Sequence, residues 1–441
     1  DTGVGTNFNA VTVQFYMSRW ADISLAVNRK VNYTVKIEPQ DQSGIALHGA
    51  SVVIFNDAGE QLAADENGCY SLGYGTYYYQ ITKGGCIARS GSFTLNAASA
   101  DELEDGVLTK AFELEAADAS AWDGKKQEPQ KDASGCYLIG TGKELAWFAA
   151  AVNNGETSIS GKLTADIELA GVAWTPIGSK EAPYGGTFDG GGHVVKNLFI
   201  HSAADDQALF GYLDAAASVA RLGVTGSIVT TGSHAGGVAA YAVNGASISE
   251  CFNAADIIAA KWAGGICGFA QSYQVTITNC YNTGAVTASG ADGFAGGINA
   301  CGANNLLGAA LTNCYNAGSV QAAKMVGPLT AYAGQSVSNS YYRSGTCPNA
   351  TGKKGTETTD AELKALASAL GEAFRSDTGS INNGYPILSW QASILLGDVN
   401  MDGKVSLGDA VLLYAYVRGK TKLSAEQLSC CDLNDDGGVT L

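Results

Sequence analysis

The feature that most restricts how this chain can fold is a six-residue phrase that keeps returning. Ile248-Ser249-Glu250-Cys251-Phe252-Asn253, Ile277-Thr278-Asn279-Cys280-Tyr281-Asn282 and Leu311-Thr312-Asn313-Cys314-Tyr315-Asn316 are near-copies, and Val337-Ser338-Asn339-Ser340-Tyr341-Tyr342 is a degenerate fourth. Between them run Gly236-Gly237-Val238, Gly264-Gly265-Ile266 and Gly296-Gly297-Ile298, with Gly327-Pro328-Leu329 as the degraded copy. A period of roughly 26 to 34 residues is that of one coil of a solenoid. Each coil alone leaves the apolar faces of its short strands exposed, so neighbouring coils must stack into one continuous core. Equivalent residues then lie about 4.8 Å apart. Cys251, Cys280 and Cys314 should form an internal ladder with aromatic and Asn ladders beside it. A column of free Cys reads as buried small hydrophobes rather than a metal or redox stack. Paired glycines allow corners that no residue with a Cβ could turn.

The repeats occupy only part of the 441 residues, a length that calls for two to four structural units. From residue 7 to about 116, short alternating apolar runs such as Val31–Ile37, Ala50–Phe55 and Tyr77–Ile81 predict a β-sandwich of about seven strands. The polar stretch Asp123–Asp132 reads as a linker. Leu145, Phe148, Ala149 and Val152 then fall at helical spacing, predicting a short helix that covers the open end of the array. After the last coil, Thr359 and Glu362 form a capping box, and Leu363, Leu366, Ala367, Leu370 and Phe374 share one helical face. Tyr385–Trp390 reads as a final strand. The expected architecture is mostly β. It comprises a sandwich over 1–122, a linker over 123–135, a parallel β-solenoid with capping helices over 136–391 and a small helical calcium module over 392–441.

Composition narrows the function classes. A formal charge of -16 leaves no basic stripe for phosphates, which argues against nucleic acid and anionic membrane surfaces. No apolar run reaches the length of a membrane span. The chain starts at Asp1 without a signal-peptide pattern, and reads as a mature protein or an excised fragment. The eleven Cys include no C-x-x-C, and His48, His193, His201 and His234 form no H-E-x-x-H pattern, so zinc chemistry is not indicated.

A different metal is indicated near the C-terminus. Asp398-Val399-Asn400-Met401-Asp402-Gly403-Lys404-Val405-Ser406-Leu407-Gly408-Asp409 has oxygen side chains at alternate positions and an acid at position 12. Calcium takes six to eight oxygen ligands, which such a loop can wrap around it. Asp398, Asn400, Asp402 and Asp409 would offer side chains, Lys404 its carbonyl, and Ser406 an oxygen directly or through water. Gly403 permits the sharp turn. An apolar helix follows, Ala410 to Gly419, and then a second loop in which Asp432, Asn434, Asp436 and Gly438 hold the corresponding positions. The sequence stops at Leu441, before that loop's position 12, so the second site is expected to bind calcium poorly.

These segments resemble known families. Gly49–Val52, Asp65–Tyr70 and Gly73–Tyr77 are similar to the prealbumin-like or collagen-adhesin B-type repeats of Gram-positive surface proteins. That likeness implies a spacer sandwich, or a Lys-to-Asn crosslink through Lys36, though Gln80 stands near where the family places its acid. The coils, with Trp174–Gly178, Gly186–Gly190, Leu209–Gly211 and Asn382–Trp390, resemble the GLUG-repeat solenoids of Gram-positive gut bacteria over about 136–391. The loop, helix, linker, loop order after Asp398 resembles a type I dockerin. That resemblance implies calcium and a cohesin-type partner, read in the family through loop positions 10 and 11, here Leu407-Gly408.

The reading this supports is a non-catalytic, secreted or cell-surface adhesion or scaffold protein. Its solenoid would bind a host or dietary glycan or a host surface protein, and its calcium module would attach it. Trp262 is a candidate for stacking on sugars, with packing as the plainer role. The alternatives are a dockerin-bearing polysaccharide-active β-helix enzyme and an accessory region of a larger surface peptidase. Glycoside hydrolysis needs two carboxylates at a set spacing, and the solenoid's acids are sparse: Asp189, Asp205, Asp206, Asp214, Glu250, Asp256 and Asp292.

Overall fold

The computed structural model describes residues 32–57, 59–116, 121–243, 245–271, 274–301, 309–332, 336–377, 381–391, 397–400, 404–423 and 425–431. The strand expected from Tyr33 onward alternates as a half-buried strand must. Tyr33, Val35 and Ile37 of Tyr33–Gln40 point inward, while Thr34 and Lys36 point to solvent. It lies in a three-stranded sheet between Cys69–Leu72 and Val107–Glu113. A second sheet takes Gln61–Leu62, Ser51–Phe55, Gly75–Thr82 and Arg89–Leu95 in that order. Both sheets close on Val35, Ile54, Tyr79, Ile81 and Leu108. The part of the expected sandwich before residue 32 lies outside the described residues. Lys36 is on the solvent side, 3.3 Å from Glu38, so the structure places it away from any internal crosslink.

The repeats form a parallel β-solenoid of about six turns. Val219, Ile248, Ile277, Leu311 and Val337 stand in register on successive coils. Cys251, Cys280 and Cys314 form the expected internal column, fully buried. Each thiol donates to the carbonyl two residues earlier, at 3.1 to 3.3 Å. Burial pushes the Cys314 thiol up to about 12, so it stays protonated and inert near neutral pH.

The next two positions divide between the faces. Asn253, Asn282 and Asn316 point inward as a hydrogen-bonded ladder. Asn253 Nδ2 donates to Asn282 Oδ1 at 2.7 Å, and Asn282 Nδ2 to Asn316 Oδ1 at 2.8 Å. Phe252, Tyr281 and Tyr315 point outward, because neighbours along a strand face opposite ways. Their rings stack 5.1 and 4.9 Å apart with planes 6° from parallel. Left bare, that stack would be a large apolar patch. It is covered by Leu363, Leu370, Phe374, Tyr385 and Leu388.

The covering segment departs from the single helix expected. Helices α2 (Asp360–Lys364) and α3 (Ala367–Leu370) are separate turns, and Phe374 lies in a strand, Phe374–Arg375, paired antiparallel with Ile387–Leu388. Thr359 and Glu362 do form the capping box. The break lets Leu363, Leu370 and Phe374 all settle on a flat ring stack, which one straight helix touches only along a line. Burial of three large side chains outweighs the few hydrogen bonds of a longer helix.

Helix α1 (Gly142–Asn153) starts at the N-cap Thr141. It lays Leu145, Phe148 and Val152, all fully buried, over the first coil. Phe148 meets Phe188 edge-on at 5.6 Å. The stretch expected as a linker is partly built into this end, Gln130–Lys131 pairing antiparallel with Tyr137–Ile139, and Trp122, expected at the end of the sandwich, joins the solenoid core. The N-terminal module packs on another outer face, with Phe55 and Tyr78 against Phe199, Val229 and Ile258. Among the described residues, no helix is long and apolar enough to cross a membrane.

Candidate calcium loop and its flanking helix

The helix after the loop, α4 (Leu407–Val417), begins three residues earlier than its apolar run suggests, because its cap lies inside the loop. Ser406 is the N-cap and Asp409 the third helical residue. Asp409 Oδ2 accepts from the Ser406 amide at 2.7 Å and its hydroxyl at 3.0 Å. The Ser406 hydroxyl accepts in turn from the Gly408 amide at 3.2 Å. The Ser-x-x-Asp spacing is a sequence-level capping signal.

Asp409 also ties the two ends of the loop together, its Oδ1 accepting from the Asn400 amide at 2.9 Å. Position 3 is thereby held against position 12. The Asn400 amide, joined by Ser406, holds the Asp409 carboxyl below the usual carboxylate range against the opposing effect of burial. Behind the loop, helix α5 (Ala425–Cys431) fixes its start. The Gly397 amide donates to the Cys430 carbonyl at 2.8 Å, and Gln427 Nε2 to the Val399 carbonyl at 2.9 Å.

Asp398 and Asp409, the first and last positions of the loop, are both buried, at 5% and 2% exposure. A buried carboxylate is costly unless hydrogen bonds or a cation offset its charge, and Asp409 already accepts from the Asn400 and Ser406 amides. The donor set is oxygen throughout, which suits a hard cation such as calcium. Asp398, Asn400 and Asp409 would hold it by side chains, with Ser406 and the Lys404 carbonyl completing the described part. Asp402 and Gly403, and Asp432, Asn434, Asp436 and Gly438 of the second loop, lie outside the described residues.

One feature of this helix is hidden in the sequence. Helix α4 is apolar all round, so periodicity does not say which side faces out. Leu407, Val411 and Tyr414 are 81%, 61% and 55% exposed, and Val405 beside them 60%. Their i, i+4, i+7 spacing makes one apolar stripe starting at the mouth of the calcium loop.

Most of the solenoid's candidate groups are otherwise engaged. Trp262 is sandwiched in a second outer ladder, 4.8 Å from the His234 ring and 6.1 Å from Phe294, with Lys261 Nζ 4.0 Å from the ring centroid. Its faces are thus taken by neighbours rather than open to a sugar. Asp189 pairs with Arg221, Asp292 with Lys324 at 2.7 Å, and Asp206 with His234 at 2.7 Å. Asp256 accepts from the Ser92 hydroxyl at 2.6 Å and Asp205 from the Ser233 amide at 2.6 Å. Asp214 accepts from the Ala215 amide at 2.8 Å.

Residues 396–441 match the family model of the dockerin type I domain. Domains of that family bind calcium and cohesins. No curated protein matches the chain. Among solved structures, one named "putative immunoglobulin A1 protease", from Bacteroides ovatus, is similar at 21% identity and a TM-score of 0.48, over 60% of this chain and 96% of that one. Another, named "IgA1 Protease", is similar at 13% identity and a TM-score of 0.34, over 70% of this chain and 28% of that one. At these values neither likeness bears on activity.

Proposed function

We propose that this chain is a non-catalytic, secreted or cell-surface scaffold or adhesion protein that a calcium-loaded C-terminal module attaches to a cohesin-type partner. The observation that carries the reading is the coincidence, on one short segment, of a dockerin-type loop and an exposed apolar stripe. Calcium in the loop fixes the start of helix α4, since Asp409 is both its capping residue and the loop's last ligand. The stripe of Leu407, Val411 and Tyr414 is then presented rigidly, which lowers the ordering cost of binding. Leu407 stands at loop position 10, where the family reads its partner, so an apolar pocket on the cohesin is the expected counterpart. The non-catalytic part rests on the solenoid's carboxylates, most of which are committed to structural partners. The solenoid serves as a rigid display for a bound glycan or host protein.

The test is surface plasmon resonance of the full chain over a panel of immobilised cohesins, with calcium and then with a chelator. Binding to at least one cohesin, abolished by the chelator and by Leu407→Glu, is expected. Calcium-independent binding, or none across the panel, sinks the attachment reading. Release of reducing sugar or peptide fragments by the purified chain sinks the non-catalytic one.

A further inference from the structure

The exposed stripe of helix α4 does not end at its apolar residues. Leu407, Val411 and Tyr414 continue at the same spacing to Arg418, the residue that caps the helix C-terminus. At 1.5 Å per residue this face is about 16 Å long. It is apolar where it leaves the calcium loop and cationic at its far end. We infer that Arg418 is the second anchor of this face and pairs with a carboxylate on the cohesin-type partner, one helix length from the apolar pocket that takes Leu407. The inference rests on the reading of the stripe as the cohesin-facing surface, and supplies the chemistry of its other half.

Arg418 is poised for that contact. It is exposed, and its Cζ lies 5.7 Å from the centroid of the Tyr414 ring, within reach of a cation–π contact. Its guanidinium makes no ion pair and no hydrogen bond among the described residues. The tyrosine ring therefore steadies the side chain along the stripe while the N–H donors stay free. A planar fork so presented matches a carboxylate through two parallel bonds. Tyr and Arg are also the residue types that carry much of the binding energy at protein interfaces.

The charge around Arg418 has one sign. Helix α4 and the turn after it, residues 407–422, hold Arg418, Lys420 and Lys422 against a single acid, Asp409, which is buried in the loop. All three cations are exposed. In a chain with a formal charge of -16 this end of the helix is a local reversal of sign, and a complementary partner surface carries carboxylates. A lipid surface fits less well, because an interfacial helix lines its polar face with cations, whereas these gather at and beyond the last turn. The two unlike ends also fix the direction in which the helix lies on its partner. In the reversed pose Arg418 would sit unpaired in the apolar pocket, which is costly.

A basic residue at a helix C-terminus has a plainer role, balancing the macrodipole. Lysine fills that role as well as arginine does, so Arg418→Lys separates the two.

The experiment uses the full chain, calcium-loaded, against an immobilised cohesin that captures the wild type. Arg418→Ala should weaken binding about thirtyfold, the loss of one charge-assisted pair. Arg418→Lys, which keeps the charge but not the fork, should recover only part of it. Lys420→Glu combined with Lys422→Glu should slow association severalfold at low salt and leave dissociation nearly unchanged. The heat of calcium binding should match the wild type in all of these variants. Unchanged affinity in Arg418→Ala, on a cohesin that Leu407→Glu no longer binds, overturns the inference and leaves the attachment reading standing. Loss of calcium heat in Arg418→Ala that Arg418→Lys restores assigns the residue to the helix dipole, and capture of the wild type by phosphatidylglycerol vesicles assigns the face to lipid. Either result overturns the inference, and no capture by any cohesin overturns both readings.

Discussion

Replacing Asn282 with Ala tests the internal amide ladder. Asn282 is fully buried and makes three hydrogen bonds: its Nδ2 donates to Gly284 O at 2.9 Å and to Asn316 Oδ1 at 2.8 Å, and its Oδ1 accepts from Asn253 Nδ2 at 2.7 Å. The truncation does not affect these partners equally. Asn253 Nδ2 keeps the Ala255 carbonyl and Asn316 Oδ1 keeps the Gly318 amide, so each loses half its bonding. The Gly284 carbonyl loses its side-chain donor outright. An orphaned buried carbonyl costs about 1–3 kcal/mol, and two half-satisfied amides add roughly 1 more. The void left by the carboxamide contributes about another 1. The expected loss is about 3–5 kcal/mol. Coupling between coils is a nearest-neighbour effect, so the damage should be local. Hydrogen exchange read by mass spectrometry should show the peptides spanning 253–255, 282–284 and 316–318 exchanging at least about a hundredfold faster. Thr312→Ala removes one half-exposed contact, to Ser338 Oγ at 3.0 Å, and should cost less than about 1 kcal/mol. Equal protection in Asn282→Ala and Thr312→Ala would refute the ladder as a source of stability.

Asp409→Ala should abolish the calorimetric heat of calcium binding at the first loop and fray helix α4, seen as lost far-ultraviolet ellipticity even with calcium present. Val411→Asp leaves the loop intact, so it should keep the calcium heat yet lose cohesin capture. Gly237→Ala places a Cβ 2.2 Å from Asn253 Oδ1 and 2.7 Å from the Gly265 carbonyl, and should destabilise the solenoid by about 3 kcal/mol or more in urea unfolding. Asp360 is held below the usual carboxylate range by the Tyr385 hydroxyl and Lys364. Its stabilising effect is full above the ordinary carboxylate pKa of about 4 and fades as pH falls through the lower folded value. Exchange protection of 360–391 should therefore drop in acid, and Asp360→Asn should flatten that dependence.

The solenoid was legible in the sequence because its period is explicit. Once Ile248, Ile277 and Leu311 are aligned, stacking is the way to bury them, and the inward Cys and Asn columns follow. The candidate calcium loop stands out in the sequence for a similar reason: the residues that would hold the ion are close in sequence, and spacing alone sets their order. Neither pattern shows what covers the outer faces. The stack of Phe252, Tyr281 and Tyr315 looks like core in the repeat, yet strand alternation turns it outward, and a segment ending 73 residues past Tyr315, at Leu388, closes over it. That pairing is long-range, and so is the split of the expected helix into α2 and α3 that it imposes. The exposed stripe of α4 belongs to the same class. In the calcium module, the sequence determined a loop able to hold a cation. Which residues of its apolar helix meet water is not written in that spacing, because solvent exposure depends on neighbours that local spacing does not name.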